Sequence, residues 1–243
     1  MSNLTTFNPS QLPAFARKGE LSAIAKAPTG GGTGTSMKRI STKGGVFRLI
    51  AGGKEVAAID DRHLDVVIVN AAPKVSRTFY ATQFVEGEAK APDCWSADGD
   101  LPDATASQPQ SKSCATCPQN IKGSGQGDSR ACRFSQRLAV VLANDMEGDV
   151  MQLTLAATSI FGKEEGGNFP LQAYARWLDA QGIDPDIVVT RIRFDTRESA
   201  PKLFFRVERY LTDDEFASVE KLAASPAAKS AVDNTQEGVE PVV

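Results

Sequence analysis

All four cysteines of the chain fall within one short segment, and this clustering constrains the fold more than any other feature. Cys114 and Cys117 form a CxxC pair; nineteen residues separate Cys94 from the pair, and fourteen separate the pair from Cys132. A CxxC pair can present two thiolates to one ion, and a structural zinc site takes four N or S ligands in a tetrahedron. Because no cysteine is left over, the spacing predicts one structural zinc ion bound by all four.

The segment around the cysteines has little else to hold it. Residues 93–132 contain few large apolar side chains, namely Trp95, Leu101 and Ile121. Such a segment cannot bury enough surface to offset the entropy of ordering it. Zinc binding is worth roughly 10–16 kcal/mol in zinc-finger peptides, which would offset that entropy. A redox CxxC pair and scattered core cysteines are the alternatives, but a redox pair would need neither Cys94 nor Cys132.

Length and composition indicate a folded protein outside the membrane. The chain has 243 residues, is 41% hydrophobic and carries a net charge of -3, so one well-buried core is expected. No stretch approaches the roughly 20 consecutive apolar residues of a membrane helix. The first residues lack the basic region and apolar run of a secretory signal. We therefore expect a cytoplasmic protein with no membrane partner, where clustered cysteines more often bind metal than form disulfides.

Local composition divides the chain into three parts. Residues 1–36 predict a flexible N-terminal arm, because the run PTGGGTGTS from Pro28 is typical of a hinge. The folded domain is predicted over residues 37–224. An irregular insertion over about 86–136, which is rich in Gly, Ser, Pro, Asp and Gln, interrupts its regular structure. Residues 225–243 are short of bulky side chains, so they predict a disordered C-terminal tail.

Apolar and alternating runs in the domain predict many short strands and two helices. One helix is expected to begin with Pro170, opened by Asn168, and to be closed by Gly182, and the other to begin at a Thr212–Glu215 capping box and run to about Ala224. The predicted strands are two within 37–53, then 64–72, 75–84, 137–143, 149–157, 187–196 and 202–211. This order predicts an α+β protein with mainly antiparallel β structure, and an OB-like barrel within that class.

Positive charge is concentrated in two regions of this acidic chain. Residues 37–90 carry nine Lys or Arg against six Asp or Glu, and residues 101–137 carry five against two. An evenly charged surface is the alternative interpretation. Single-strand binders combine a cationic groove with aromatic rings on which bases stack. A basic face of this kind would suit single-stranded DNA.

Arginines alternate with rings along several predicted strands; Arg77 and Phe79, for example, share one face of 75–84. Tyr80 and Trp95 are the stronger stacking candidates, because each ring carries a polar group and lies at or beside the polar insertion. A core position for single rings and a solvated sheet face for the arginines are the alternatives. The candidate DNA-binding residues are Lys38, Arg39, Arg48, Arg77, Phe79, Tyr80, Trp95, Lys122, Arg130, Arg133, Phe134, Arg191 and Arg193.

The cysteine block also resembles that of a known family. The residues from Cys94-Trp-Ser, through Cys114-x-x-Cys117-Pro-x-Asn120, to Cys132 are similar to those of a group of tailed-bacteriophage single-stranded DNA-binding proteins. The resemblance extends from about Met37 to Tyr210, and the cysteine block is its specific part. It implies an OB-like core, a zinc-bound insertion and no catalytic activity.

The same resemblance implies a role in phage DNA replication or recombination in the host cytoplasm, with replication or recombination proteins as further partners. Where such proteins carry an acidic tail that recruits partners, this tail has only Asp233, Glu237 and Glu240, against Lys229. The tail therefore departs from the pattern of the family, and a recruiting role does not carry over.

Two other classes of function compete with DNA binding. A nuclease needs carboxylates that hold Mg²⁺ on firm elements, but Asp60-Asp61, Glu164-Glu165 and Asp213-Asp214 fall in predicted turns or at a helix start. The single histidine, His63, leaves little for acid–base chemistry. We therefore expect a binding protein and no enzyme. A zinc-stapled adaptor or virion component, in which the segment 94–132 docks a protein, is the third hypothesis.

Overall fold

The computed structural model describes residues 37–82, 91–198 and 200–233. The predicted arm over 1–36 lies outside the described residues. The described strands are β1 (Arg39–Ser41), β2 (Phe47–Ala51), β3 (Lys54–Ile59), β4 (His63–Ala71), β5 (Ser76–Phe79), β6 (Cys94–Ser96), β7 (Arg133–Leu142), β8 (Met151–Ala156), β9 (Val188–Phe194) and β10 (Leu203–Tyr210). The described helices are α1 (Ala157–Ile160), α2 (Leu171–Gln181), α3 (Asp213–Ala223) and α4 (Pro226–Val232).

The strands form one curled, mostly antiparallel sheet. Its order is β10-β9-β4-β7-β8-β1-β2-β3, with β5 pairing with the start of β7 and with β6. The β1–β8 pair is parallel, and the other described pairs are antiparallel. Phe47 of β2 and Phe194 of β9 have ring centroids 4.5 Å apart although four strands separate them in the sheet. The sheet therefore curls into a half-barrel, and the predicted α+β class with mainly antiparallel strands is confirmed.

The inner face of the half-barrel holds the main hydrophobic core. Side chains alternate between the faces of a strand, so Leu64, Val66 and Ile68 of β4 point into this core. Helix α2 contributes Tyr174, which is 1% exposed and whose hydroxyl lies 2.8 Å from that of Thr190. A buried tyrosine hydroxyl requires such a partner, and this bond fixes the helix against β9.

The residues at the ends of the two predicted helices cap them as the sequence indicates. Helix α2 ends at Gly182, which adopts φ 67° and donates its backbone N–H to the carbonyls of Leu178 and Asp179. Glycine adopts that left-handed conformation without strain. Helix α3 begins at Thr212, whose hydroxyl accepts from the backbone N–H of Glu215 while the Glu215 side chain accepts from that of Thr212. Both helix predictions are confirmed.

A second core lies on the outer face of the sheet, under α3 and α4. Val67 and Val69 of β4 contribute to it, together with Val219 of α3 and the fully buried Ala228 and Ala231 of α4. The prediction of disorder from residue 225 is therefore wrong for Pro226–Val232. The small side chains that suggested disorder are those that allow a helix to lie close against the strands.

Three side chains of the sheet hold helix α4 by its carbonyls. Asn70 donates to Ala228 at 3.4 Å and Gln152 to Ala231 at 2.8 Å, and the Arg137 guanidinium donates to the carbonyl of Asp233. The carbonyls of Ala231 and Asp233 lie at the end of the helix, where carbonyls lack intrahelical partners. The folded domain thus continues past the predicted limit of residue 224.

Other boundaries also differ from the sequence prediction. The predicted strand over 75–84 ends at Phe79, and strands β3 and β6 were not predicted. The insertion ends earlier than predicted, because β7 already begins at Arg133. No helix in the described part of the chain is both long and apolar enough to cross a membrane.

Candidate metal centre and nucleic-acid interface

Strand pairing brings the first and last cysteines of the insertion to one end of the sheet. Cys94 lies on β6 directly opposite Phe79 of β5. Strand β5 also pairs with the start of β7, which begins one residue after Cys132. Phe79, Cys94 and Cys132 are all buried and pack together as a small cluster. The base of the insertion therefore has an apolar anchor, supplied by a strand outside it.

Backbone hydrogen bonds place the CxxC pair beside this cluster. Residues Pro118–Asn120 form a 3₁₀ turn directly after Cys117, and the Asn120 side-chain amide donates to the carbonyl of Cys114 at 3.0 Å. The backbone N–H of Cys132 donates to the carbonyl of Gln119 at 2.8 Å. The turn after the CxxC pair is thus tied to the fourth cysteine.

All four thiols are free, buried and gathered around one small cavity. Each cysteine is only 7 or 8% exposed, and the four line an enclosed space of about 10 Å³. That is close to the space one water needs. Burial raises the pKa of the Cys132 thiol to about 12 and raises that of Cys114, while the charge of Arg77 opposes both shifts. Donor chemistry fits zinc, since thiolates are among its preferred ligands.

The positions of the thiols do not by themselves form a coordination site. Among the described residues, no group of three or more His, Cys, Asp or Glu side chains is placed so that it could hold a metal ion. The four cysteines line one cavity, but they are not arranged as a ready-made coordination group.

Arg77 joins the CxxC pair to the sheet. Its Nη1 donates to the carbonyl of Cys114 at 3.2 Å, and its guanidinium lies 4.3 Å from the ring centroid of Phe134 on β7. Arg77 and Phe134 are direct cross-strand partners, so they point to the same face. The Nε atom of Arg77 is buried without a described hydrogen-bond partner. Arg77 is therefore half-buried between the insertion and the sheet. The sequence predicted instead that it projects from an open strand face.

Phe134 is the centre of a cationic and aromatic cluster at the junction of sheet and insertion. Arg130 lies 5.6 Å from its ring centroid, and Phe161 packs edge-on at 5.4 Å. The ring is half-buried, whereas Arg130 and Arg133 are exposed. We call the region around the start of β7, with Tyr80, Arg130, Arg133 and Phe134, the junction surface; Phe134 shares a sheet face with Arg77, whereas Arg133 lies opposite Thr78 on the other face.

Two of the predicted stacking residues are placed where no base can reach them. Phe79 is 7% exposed and Trp95 is 9% exposed. A buried ring has no free face for a base, so these two predictions are wrong; both rings instead line the cysteine cavity. Tyr80 is half-buried, and burial raises its pKa, with Asp93 adding to the shift and Arg133 opposing it. Its ring stays a candidate at the edge of the insertion.

Several predicted arginines are neutralised by carboxylates. Arg191 makes two 2.7 Å hydrogen bonds to Asp65 and a 3.2 Å contact with Glu208. Arg48 pairs with Glu55 through one nitrogen, its Nη1 lying 3.0 and 2.9 Å from the two carboxylate oxygens. The two-nitrogen pair of Arg191 is the strong form of the ion pair, and both guanidinium groups already have a carboxylate partner, so they are poorly placed to bind phosphate.

The remaining predicted cations lie apart from the junction surface or carry partners of their own. Lys38 pairs with Asp149, Lys122 pairs with Asp128 at 3.1 Å, and Arg39 lies half-buried on β1. Arg193 is exposed on β9 opposite His63, at the other end of β4. About twelve strand residues, or about 40 Å of strand, separate it from Phe134.

A groove beside the junction surface contains residues that the sequence analysis missed. It has a volume of about 470 Å³ and lies between β7, the β4–β5 loop and helix α2. Gln136 lines it; this residue alternates with Phe134 and Leu138 on one face of β7, a spacing that marked Gln136 as inward-facing. Its side-chain N–H₂ donates to the carbonyl of Ala72 at 2.9 Å, while its Oε1 is buried without a described partner.

Comparison of the chain with protein-family models, with curated proteins and with solved structures gives no match.

Proposed function

We propose that this protein binds single-stranded DNA, with little sequence preference and without catalysis, through the junction surface. One observation carries the proposal: the ring of Phe134 lies between sheet and insertion with Arg77 at 4.3 Å and Arg130 at 5.6 Å. Single-strand binders use this combination, because a cation neutralises a phosphate while a ring stacks on a base.

The charges around the insertion support the proposal. Arg130 and Arg133 are exposed close to a half-buried ring, and residues 112–133, at the end of the insertion that leads into β7, carry four Lys or Arg against one Asp on a chain of net charge -3. Local positive charge on an acidic protein directs a polyanion to one place on its surface. The proposed interface is smaller than the sheet face expected from sequence, because Arg48 and Arg191 are already paired with carboxylates.

In this proposal the half-barrel is an OB-like core and the insertion is held by zinc. The curled antiparallel sheet, with helix α2 packed into its inner core, is compatible with an OB-like barrel. Cys94, Cys114, Cys117 and Cys132 would hold a structural zinc ion, which would fix the insertion and hence Arg130. Zinc supplies cross-linking of the chain and takes no part in a reaction.

Paired variants of exposed arginines test the interface. Arg130→Ala and Arg133→Ala should each weaken binding to a labelled oligo-dT by about fivefold at 0.1 M salt, because one phosphate contact on a single strand contributes a slope of about 0.7. Arg193→Ala removes an exposed arginine from the far end of the sheet and should leave the affinity unchanged. Equal effects of all three variants would mean that charge acts non-specifically, and the junction surface would be rejected.

A protein-docking role is the second candidate, and a specific observation favours it. Leu101 and Ile121 are 60% and 63% exposed on the insertion. Exposed apolar side chains on an insertion can mark a protein contact. In that case Leu101→Ser and Ile121→Ser would abolish capture of a partner protein while leaving oligo-dT binding intact. The same partner could be a replication or recombination protein, so this role can coexist with DNA binding.

A further inference from the structure

The groove beside the junction surface has the dimensions of a ligand site. Its volume of about 470 Å³ falls within the usual range of roughly 300–1,000 Å³ for such sites. Phe134 and Arg77 belong both to the lining of this groove and to the cluster that forms the proposed DNA interface. A strand bound at the junction surface would therefore pass the mouth of the groove.

The lining of the groove suits an uncharged group. Two cations, Lys74 and Arg77, face two carboxylates, Asp98 and Asp100, so the charges cancel. Lys74 is already paired with Asp100 at 2.6 Å, so it is poorly placed to bind a phosphate. The deeper wall is apolar and aromatic, and includes Leu178 of α2. Phosphates would be repelled by this lining or gain little from it, whereas a nucleobase is neutral and flat.

Polar groups in the same groove can recognise the edge of a base. The Oε1 of Gln136 is an acceptor without a described partner, and the Nε of Arg77 is a donor without one. Gly99 lies beside that donor and also lines the groove. Every nucleobase offers a donor next to an acceptor on its pairing edge, so such a pair accepts any base after a small rotation of the two side chains. This matches binding with little sequence preference.

We propose that the groove takes one base turned out of the bound strand, with its edge toward Gln136 and Arg77 and its ring against the apolar wall. Extruded bases are held in this way by proteins that stack them between apolar side chains and bond their pairing edge. The inference rests on the proposed function, since it assigns a base-binding subsite to the same interface. The phosphates stay outside, at Arg130 and Arg133.

A blocking substitution on helix α2 tests the subsite. Ala175 is exposed and lines the groove, whereas Ala180 is exposed on the same helix and does not line it. Ala175→Trp should weaken binding to a 15-residue oligo-dT about tenfold, and Ala180→Trp should not. Both variants carry the same new side chain at an exposed helical position, so thermal melting should show equal stability.

An abasic oligonucleotide of the same length separates the subsite from the rest of the interface. Parent and Ala175→Trp should bind it equally, because it has no base to place in the groove. Gln136→Leu, which removes the acceptor at similar volume, should reproduce the loss on oligo-dT and not on the abasic strand. If the parent binds oligo-dT but both tryptophan variants bind it as well as the parent does, the subsite is overturned and the interface stands. If the parent binds neither oligonucleotide, the proposed function itself is overturned.

Discussion

Arg77 donates a 3.2 Å hydrogen bond to the backbone carbonyl of Cys114, thirty-seven residues further along the chain. This bond ties the CxxC pair to strand β5, and the same guanidinium lies over the ring of Phe134 on β7. One side chain therefore connects the candidate metal centre, the sheet and the junction surface. Its position gives Arg77 a structural role that the sequence pattern, an arginine alternating with rings, did not indicate.

Loss of Arg77 should loosen the insertion. Arg77→Ala removes a hydrogen bond from a charged donor and a cation–ring contact, and we expect unfolding in urea to become easier by about 2 kcal/mol. Arg77→Lys should restore little of the lost stability, because an ammonium group cannot bond the carbonyl of Cys114 and cover the ring of Phe134 at once. Arg130→Ala is the control, since Arg130 is exposed and should change stability by less than about 0.5 kcal/mol. Equal stability of the two alanine variants would contradict this role.

Zinc removal should affect the insertion and spare the sheet. Purified protein should contain one zinc ion per chain by elemental analysis, and Cys117→Ser should lower that content and make residues within 94–132 sensitive to protease. The strands should keep their circular dichroism, because the inner core does not include the insertion. Ala115→Ser changes an exposed neighbour within the CxxC pair and should change neither property. Protein free of zinc that is nonetheless stable would rule the metal out.

Helix α4 should contribute to stability, although its sequence suggested a disordered tail. Ala228 is fully buried against the outer face of the sheet, whereas the adjacent Ala227 is exposed. Ala228→Asp places a charge in the outer core and should lower stability by about 3 kcal/mol. Ala227→Asp should leave the midpoint of urea unfolding nearly unchanged. If the two variants unfold at the same urea concentration, the helix does not pack as described.

The sequence predicted elements whose pattern is local and missed those that depend on distant contacts. The apolar run of β4, the capping box at Thr212 and the glycine at 182 each act within a few residues, and all three predictions are confirmed. Helix α4 is held by side chains of β4, β7 and β8, far away in the chain. No local pattern indicates such support, so the small side chains of this segment predict a tail and not a helix.

The candidate site divides in the same way. Clustering of the four cysteines predicted that they gather, and they do line one cavity. Residue type indicates which rings can stack on a base, but the exposure of a ring depends on what packs above its strand. Trp95 is covered because β6 pairs with β5 under the polar insertion, a pairing that the short strand CWS did not indicate. Alternation along β7 does identify Phe134 and Gln136 as neighbours on one face.

Acid should weaken the attachment of helix α3 in a defined pH window. The Arg209 guanidinium bonds both carboxylate oxygens of Glu215, and together with the Thr212 backbone N–H it lowers the Glu215 pKa from 4.5 to about 2. A lowered pKa means that the charged form stabilises the folded state. That contribution is complete above pH 4.5 and is lost as the pH falls toward 2. Because Glu215 lies close to solvent, its contribution to stability is small, but the sign of its pH dependence is unchanged.

Melting temperatures measured from pH 6 to pH 2 test this window. Glu215→Gln should melt lower than the parent at pH 6, and the two should converge as the pH approaches 2. Glu220→Gln, at an exposed position of the same helix, should follow the parent curve throughout. Parallel curves for the parent and Glu215→Gln would show that this carboxylate is not linked to folding.

Direct titration of single-stranded against duplex DNA tests the central proposal. Labelled oligo-dT and a duplex of equal length should be titrated with the full chain at 50 mM and 200 mM salt. We expect tighter binding to the single strand at both concentrations, because a duplex hides the faces of its bases from Phe134. We also expect the affinity to fall at the higher salt, with a slope of about 0.7 per phosphate contact. Equal affinity for both DNAs, or no binding at 50 mM salt, would contradict the proposed function.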